Sequence, residues 1–279
     1  MNITVIGIGL IGGSMAIALK QKGFADKVIG VDASPAHRAK ALELGLVDEI
    51  AELDEAVSQA DLIILSTPIN AAESLLPAIM KKVDKQVVMD VGSTKKIICE
   101  SAAQTSNRGR FVASHPMWGT EYSGPEAAAP NAFAGKAAVI CSKEDSDPDA
   151  VVLVEEVYKL LGMHLVYMNA DDHDVHVAYV SHISHITSFA LANTVLEKEK
   201  EGDAIFELAS GGFESTVRLA KSNPAMWVPI FMQNKENVLD VLNEHIAQLR
   251  KFKACLEKEN YDYLQELIVN ANEIKRILK

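Results

Sequence analysis

Apolar positions are distributed in two ways along this chain, and the change falls near residue 170. Before it, short runs of branched residues (Ile3 to Ile6, Lys27 to Val31, Asp61 to Thr67, Gln86 to Val91, Phe111 to Ala113, Lys136 to Cys141 and His164 to Met168) alternate with stretches of helical composition. Unbroken apolar runs of this length suit strands buried on both faces, and their alternation with helices predicts a doubly wound parallel sheet. The intervening helices carry their own signals: Ser14 to Lys22 is closed by Gly23, and Ser34-Pro35 opens a helix that ends at Gly45. Beyond Asp171 strand signals nearly vanish. The pattern there predicts helices at about 172–199, 203–211, 222–259 and 262–278, with Pro224 and Pro229 breaking up the start of the third. The expected architecture is an α/β Rossmann-type doubly wound sheet over 1–169 followed by an all-α C-terminal domain over 170–279, with Asn169 to Asp172 supplying N-cap chemistry at the junction.

The first run ends at Gly7-Ile8-Gly9-Leu10-Ile11-Gly12, and the second delivers Asp32 roughly twenty residues past the last glycine. Strand, glycine turn, helix, strand and acid in this register predict a dinucleotide site. Gly7 permits the tight turn, Gly9 lets the backbone approach a pyrophosphate, and Gly12 lets helix and strand pack closely. The expected cofactor residues are these glycines with Leu10 and Ile11, Asp32 for the ribose diol, and Thr67 and Pro68 where the Asp61 run stops. A carboxylate at position 32 repels a 2′-phosphate, which favours NAD over NADP, and Arg38 lies a turn and a half into the next helix.

Composition narrows the class. A hydrophobic content of 48% over 279 residues is ample for globular cores, and a formal net charge of -11 disfavours nucleic acid and acidic membrane surfaces as partners. The N-terminal residues lack a secretory pattern and no apolar run has membrane-spanning length, so a cytoplasmic protein is expected. Cys99, Cys141 and Cys255 are few and widely separated, which suits packing residues better than a disulfide framework. The many apolar positions of the helical region point to a homodimer.

Candidate chemistry begins at His115, which follows a strand and precedes Pro116. It is either a general base beside the nicotinamide or a loop histidine bonded to backbone. Ser93, in Val91-Gly92-Ser93-Thr94-Lys95, either bonds the reacting hydroxyl or caps the following helix, and Lys95 reads as a solvated helix residue. At about 100° per residue, His182 and His185 share one helix face while His173 and His176 take the other, so the four cannot converge on one ion and no metal is expected. Two histidines on an apolar face suit either a substrate pocket or a hydrogen-bonded core. The double glycine Gly211-Gly212 followed by Arg218 marks a candidate anion clamp, with a surface ion pair as the alternative, and Trp227 reads as core or subunit interface.

With these residues in hand the chain resembles the prephenate and arogenate dehydrogenase family, through Val91 to Lys95, His115 to Gly124, Ser181 to His185, and Gly211 to Arg218. The resemblance implies an NAD-dependent oxidative decarboxylation of prephenate in tyrosine biosynthesis, with arogenate as the alternative substrate. It implies His115 as the catalytic histidine with Ser93 assisting, Arg218 on the side-chain carboxylate, and Thr120, Glu121, His182, His185 and Gly211 lining or gating the substrate pocket. Family members commonly carry Asp where this chain has Ser215 and often Pro where it has Ser184. A β-hydroxyacid-type dehydrogenase shares the plan but relies on a helical lysine, for which no matching motif stands here. A non-catalytic nicotinamide-sensing module would need neither His115 nor Arg218.

Overall fold

The structure, a computed structural model, describes residues 1–199 and 206–277. Each branched run forms a strand, and a two-residue strand joins them: β1 (Asn2–Ile6), β2 (Lys27–Val31), the additional β3 (Glu49–Ile50), β4 (Leu62–Leu65), β5 (Val87–Asp90), β6 (Phe111–Pro116), β7 (Ala137–Cys141) and β8 (His164–Met168). They make one sheet in the order β3-β2-β1-β4-β5-β6-β7-β8, in which only the β6–β7 pairing is antiparallel. Strand β3 is too short and too polar to show in the apolar pattern.

The connections are α1 (Leu10–Gln21), α2 (Pro35–Glu43), α3 (Leu53–Gln59), α4 (Ile69–Met80), α5 (Lys96–Ala103) and α6 (Pro148–Leu160). One core holds Met15 and Leu19 of α1 with Val154 and Tyr158 of α6; the other holds Val57, Leu76, Ile79 and Ile98 of α3, α4 and α5. Alternate strand residues feed the two, Ile3 and Val5 to the first and Ile63 and Leu65 to the second. The sheet is thus covered on both faces, as a parallel sheet requires. The ladder between β5 and β6 covers only Val88–Phe111 and Met89–Val112, after which the strand ends part.

After β8 one helical run turns through α7 (Ala170–Val177), a π-helical turn (Ala178–His182) and α8 (Ile183–Glu199). Asn169 caps α7 through a 2.7 Å bond from the Asp172 N–H, as its sequence suggests. The expected helix at 203–211 lies partly outside the described residues; within them Phe206–Leu208 is a 3₁₀ turn and α9 (Gly211–Val217) begins at the double glycine. The expected helix 222–259 is two helices, α10 (Pro224–Gln233) and α11 (Lys235–Glu257), because the backbone leaves helical geometry at Asn234. Pro224 takes the first turn of α10 and Pro229 is accommodated inside it, so neither causes that break. Helix α12 (Tyr261–Ala271) follows. By contacts the chain forms two compact units, Met1–Asn234 and a second beginning at Lys235. Among the described residues no helix is long and apolar enough to cross a membrane.

Candidate active site

Parallel strands β1, β4, β5 and β6 end on the same edge of the sheet, and the glycine turn, Thr67 and Ser93 follow the first three. His115, expected just after its strand, lies within the last residues of β6, because that strand continues in antiparallel pairing with β7. Gly7 has φ +92°, and a Cβ at Gly12 would lie 2.1 Å from the Gly7 carbonyl oxygen, so neither position admits a side chain without strain. A Cβ at Gly9 would meet nothing within 4 Å: the turn faces open space at the helix N-terminus, where a pyrophosphate belongs. Asp32 accepts the N–H groups of Ile8 and Ser34, both at 2.9 Å, which fixes its carboxylate at the end of β2 with lone pairs left for ribose hydroxyls. Arg38 is turned to Glu52 at 3.6 Å. The Thr67 hydroxyl is buried without a hydrogen-bond partner among the described residues. These residues fit a dinucleotide.

The hydrogen-bond roles around His115 follow from two backbone amides. The N–H groups of Lys95 and Lys96 both donate to the Asp174 carboxylate, at 2.8 and 3.0 Å. Asp174 is therefore an acceptor, and His173 Nδ1, 2.8 Å from it, must carry the proton. His173 Nε2 is then an acceptor, so His115 Nδ1 at 2.9 Å donates to it. The lone pair of His115 consequently sits on Nε2. Burial, then His173, Lys95 and His182, push the His115 pKa well below the ordinary histidine value, which keeps that lone pair unprotonated at neutral pH.

The same arrangement corrects two expectations. Helix α5 starts at Lys96, beyond Ser93, and its first amides are taken by Asp174 from α7; Ser93 has no capping bond. Lys95 is wholly buried, its ammonium paired with Asp90 and donating to the Ser114 carbonyl at 2.7 Å. It is not a solvated residue.

A second histidine joins through Asn234, whose Nδ2 donates to the Asp174 carbonyl at 2.7 Å. That amide nitrogen cannot accept, so His182 Nδ1 at 3.2 Å is the acceptor, and His182 carries its proton on Nε2. Burial lowers its pKa to about 4. His173 and His182, nine residues apart, would oppose each other on a regular α-helix. The π turn adds a residue between them and retards the phase by about 100°, so both reach the Asp174–Asn234 junction. His176 remains exposed.

Around these groups lie the residues expected to handle substrate. Arg218 bonds Glu121 at 2.7 Å, joining segments 97 residues apart; Glu121's own N–H, then Arg218, hold its carboxyl below the usual range. The Thr120 hydroxyl accepts from the Tyr122 N–H at 3.3 Å, and Gly211 is exposed at the start of α9. His185 stacks on Trp227 with ring centroids 3.4 Å apart and donates from Nδ1 to the Ser181 carbonyl at 3.1 Å. Trp227 is buried, but its indole N–H has no partner among the described residues. Ser215 donates to the Gly212 carbonyl at 3.0 Å, a bond inside its own helix.

Fold and site together define an oxidoreductase of the NAD-dependent dehydrogenase class. Models of the prephenate dehydrogenase nucleotide-binding domain and dimerization domain match residues 15–167 and 169–270, and the chain belongs to the prephenate dehydrogenase family. It is 31% identical to the prephenate dehydrogenase of Bacillus subtilis over 98% of this chain and 75% of that protein. The structure of prephenate dehydrogenase from A. aeolicus, in complex with hydroxyphenyl propionate and NAD+, superposes with a TM-score of 0.89 at 32% identity, covering 99% of this chain and 97% of that one. Synechocystis arogenate dehydrogenase gives 0.80 at 30% identity over the whole of both chains.

Proposed function

We propose that this protein oxidises and decarboxylates prephenate to 4-hydroxyphenylpyruvate with NAD, His115 acting as general base. The observation that carries the reading is the hydrogen-bond chain Asp174–His173–His115, which leaves one unprotonated nitrogen at the ligand edge of the sheet. NAD supplies the hydride acceptor. His115 Nε2 takes the proton of the ring hydroxyl as the C–H bond on the same carbon breaks, and a ketone conjugated through the ring results. The bond to the ring carboxylate then breaks, its electrons pass through the ring to the ketone oxygen, and carbon dioxide leaves. His115 returns its proton to that oxygen, which completes the phenol. Ser93 bonds the same hydroxyl, and Arg218 takes the side-chain carboxylate. Thr120, Glu121, His182, His185 and Gly211 shape the pocket, while Leu10, Ile11, Thr67 and Pro68 join the glycines and Asp32 around the cofactor. Residues 1–169 serve the cofactor and 170–279 the substrate and pairing with a second copy, in a cytoplasmic homodimer.

Glu121 favours a second substrate in the same pocket. A carboxylate beside the Arg218 guanidinium can accept the ammonium of arogenate while Arg218 holds its carboxylate.

Initial rates with prephenate and with arogenate, each with NAD and NADP, test the reading. Turnover of prephenate with NAD is expected, and His115→Asn should lower kcat about 100-fold or more with little change in NAD affinity. Half-retained activity at neutral pH would remove His115 from the role. Asp32→Ser should shift the kcat/KM ratio toward NADP, and an unmoved ratio would show that Asp32 does not read the ribose.

A further inference from the structure

The Asp90–Lys95 pair takes no part in the steps above, yet it is among the most deeply buried charged groups of the molecule, with side chains 2% and 0% exposed. The β5–β6 ladder stops at Met89–Val112, and beyond it this pair replaces the ladder. Asp90 accepts the Ser114 N–H at 3.1 Å, and the Lys95 ammonium donates to the Ser114 carbonyl at 2.7 Å. Both polar groups of the residue preceding His115 are therefore held by one ion pair. The Ser114 hydroxyl adds a 2.6 Å bond to the Asp90 carbonyl and lies 2.7 Å from the Tyr158 hydroxyl. Asp90 also accepts the Gly92 N–H at 3.0 Å, which ties down the loop carrying Ser93. At its own backbone Lys95 donates to Asp174, the far end of the histidine chain. Lys95 thus touches Asp174 at one end of the relay and the peptide preceding His115 at the other, with no hydrogen bond to either imidazole.

A buried ion pair stabilises a fold little, since desolvation offsets its attraction and apolar residues of similar volume serve as well. Its place beside the base has a different explanation. We propose that Lys95, held by Asp90, is a positioning residue: together they fix the peptide that carries His115, while the Lys95 amide holds Asp174 at the far end of the hydrogen-bond chain that orients the ring. The proposal rests on the reading of His115 as base. The charged and titratable groups around His115 are His173, with Asp174 behind it, His182, and Lys95 with its partner Asp90 on β5. Lys95 lowers the pKa of His115, after burial and His173.

The test compares Lys95→Met, Lys95→Arg and the double variant Lys95→Met/Asp90→Asn, which leaves no buried charge unpaired. The readout is the titration of the His115 ring followed by NMR in the free protein, assigned with His115→Asn, alongside the pH profile of kcat/KM. Lys95→Met should move the His115 midpoint upward by about one unit or more, the double variant by less, and Lys95→Arg scarcely at all. The acid limb of kcat/KM should follow in that order, with KM for NAD unchanged. The double variant decides the question if Lys95→Met does not fold. A midpoint and an acid limb that stay put in every folded variant, with only Tm lowered, would overturn the proposal. Because the NMR titration needs no turnover, it stands apart from the assay on prephenate, whose failure would instead remove the assigned reaction.

Discussion

Arg218 already meets an acid, Glu121, within the protein, and this decides what its removal should cost. Its side chain is 50% exposed and pairs with Glu121, which is 12% exposed, so the guanidinium is presented to the pocket with one face already engaged. A partly solvated clamp gives less than a desolvated one: about 1.5 to 3 kcal/mol for a charge-assisted hydrogen bond, or roughly a ten- to hundredfold rise in KM. Arg218→Ala is expected to raise KM for prephenate by that factor with kcat little changed, and Arg218→Lys to rescue only part. An unchanged KM would leave the Arg218–Glu121 contact as a surface ion pair. Glu121→Gln separates the two substrates, since it should leave prephenate turnover nearly intact and depress use of arogenate.

Helix α7, the π turn and α10 meet at one side chain, Asn234, which is 4% exposed and donates to the first two of these elements. Replacing it with Leu strips the buried His182 imidazole of its donor, at about 1 to 3 kcal/mol, and leaves the Asp174 carbonyl with the Ala178 N–H alone. Asn234→Leu should therefore lower the urea midpoint of the first unit, and ¹⁵N NMR of His182 should show loss of the pure Nε2–H tautomer. A tautomer that survives would mean that packing against Trp227 and Phe231, and not Asn234, sets its state. This junction also marks the limit of what the sequence reveals. The glycine turn, Asp32, His115 and the succession of strands were legible because each is written within a few neighbouring residues. The relay was not: His173 reaches His115 across 58 residues and Asp174 reaches Lys95 across 79, so neither contact has a local signature. The approach of His182 to the same junction was hidden too: a helical wheel sets it opposite His173, because an extra residue in a helical turn cannot be read from Ala178-Tyr179-Val180-Ser181-His182. The burial of Lys95 was hidden for the same reason, since its partner Asp90 lies on a strand that the apolar pattern places but does not orient.

At the scale of the whole molecule the buried and half-buried histidines link stability to pH. His115, His173, His182 and His185 all have pKa values lowered first by burial, His182 to about 4. In the unfolded chain they take up protons near pH 6.5, whereas the folded protein resists protonation until lower pH. Their contribution to stability is thus complete above pH 6.5 and is lost as pH falls toward the folded values, at about 1.4 kcal/mol per pH unit for each proton the unfolded state binds in excess. In the unfolded chain carboxylates take up protons near pH 4, so the protons gained on unfolding between about pH 6.5 and 5 go chiefly to histidines. Urea unfolding followed by tryptophan fluorescence reads the right part of the chain, since both tryptophans, Trp118 and Trp227, belong to the first unit. The urea midpoint is expected to hold between pH 8 and 7 and to fall steeply from 6.5 to 5. The double variant His173→Gln/His182→Gln, less stable at neutral pH, should show a shallower fall over the same interval. An equal slope in the two proteins would mean that these imidazoles are protonated in the folded state, and the hydrogen-bond chain that leaves His115 Nε2 open would lose its basis.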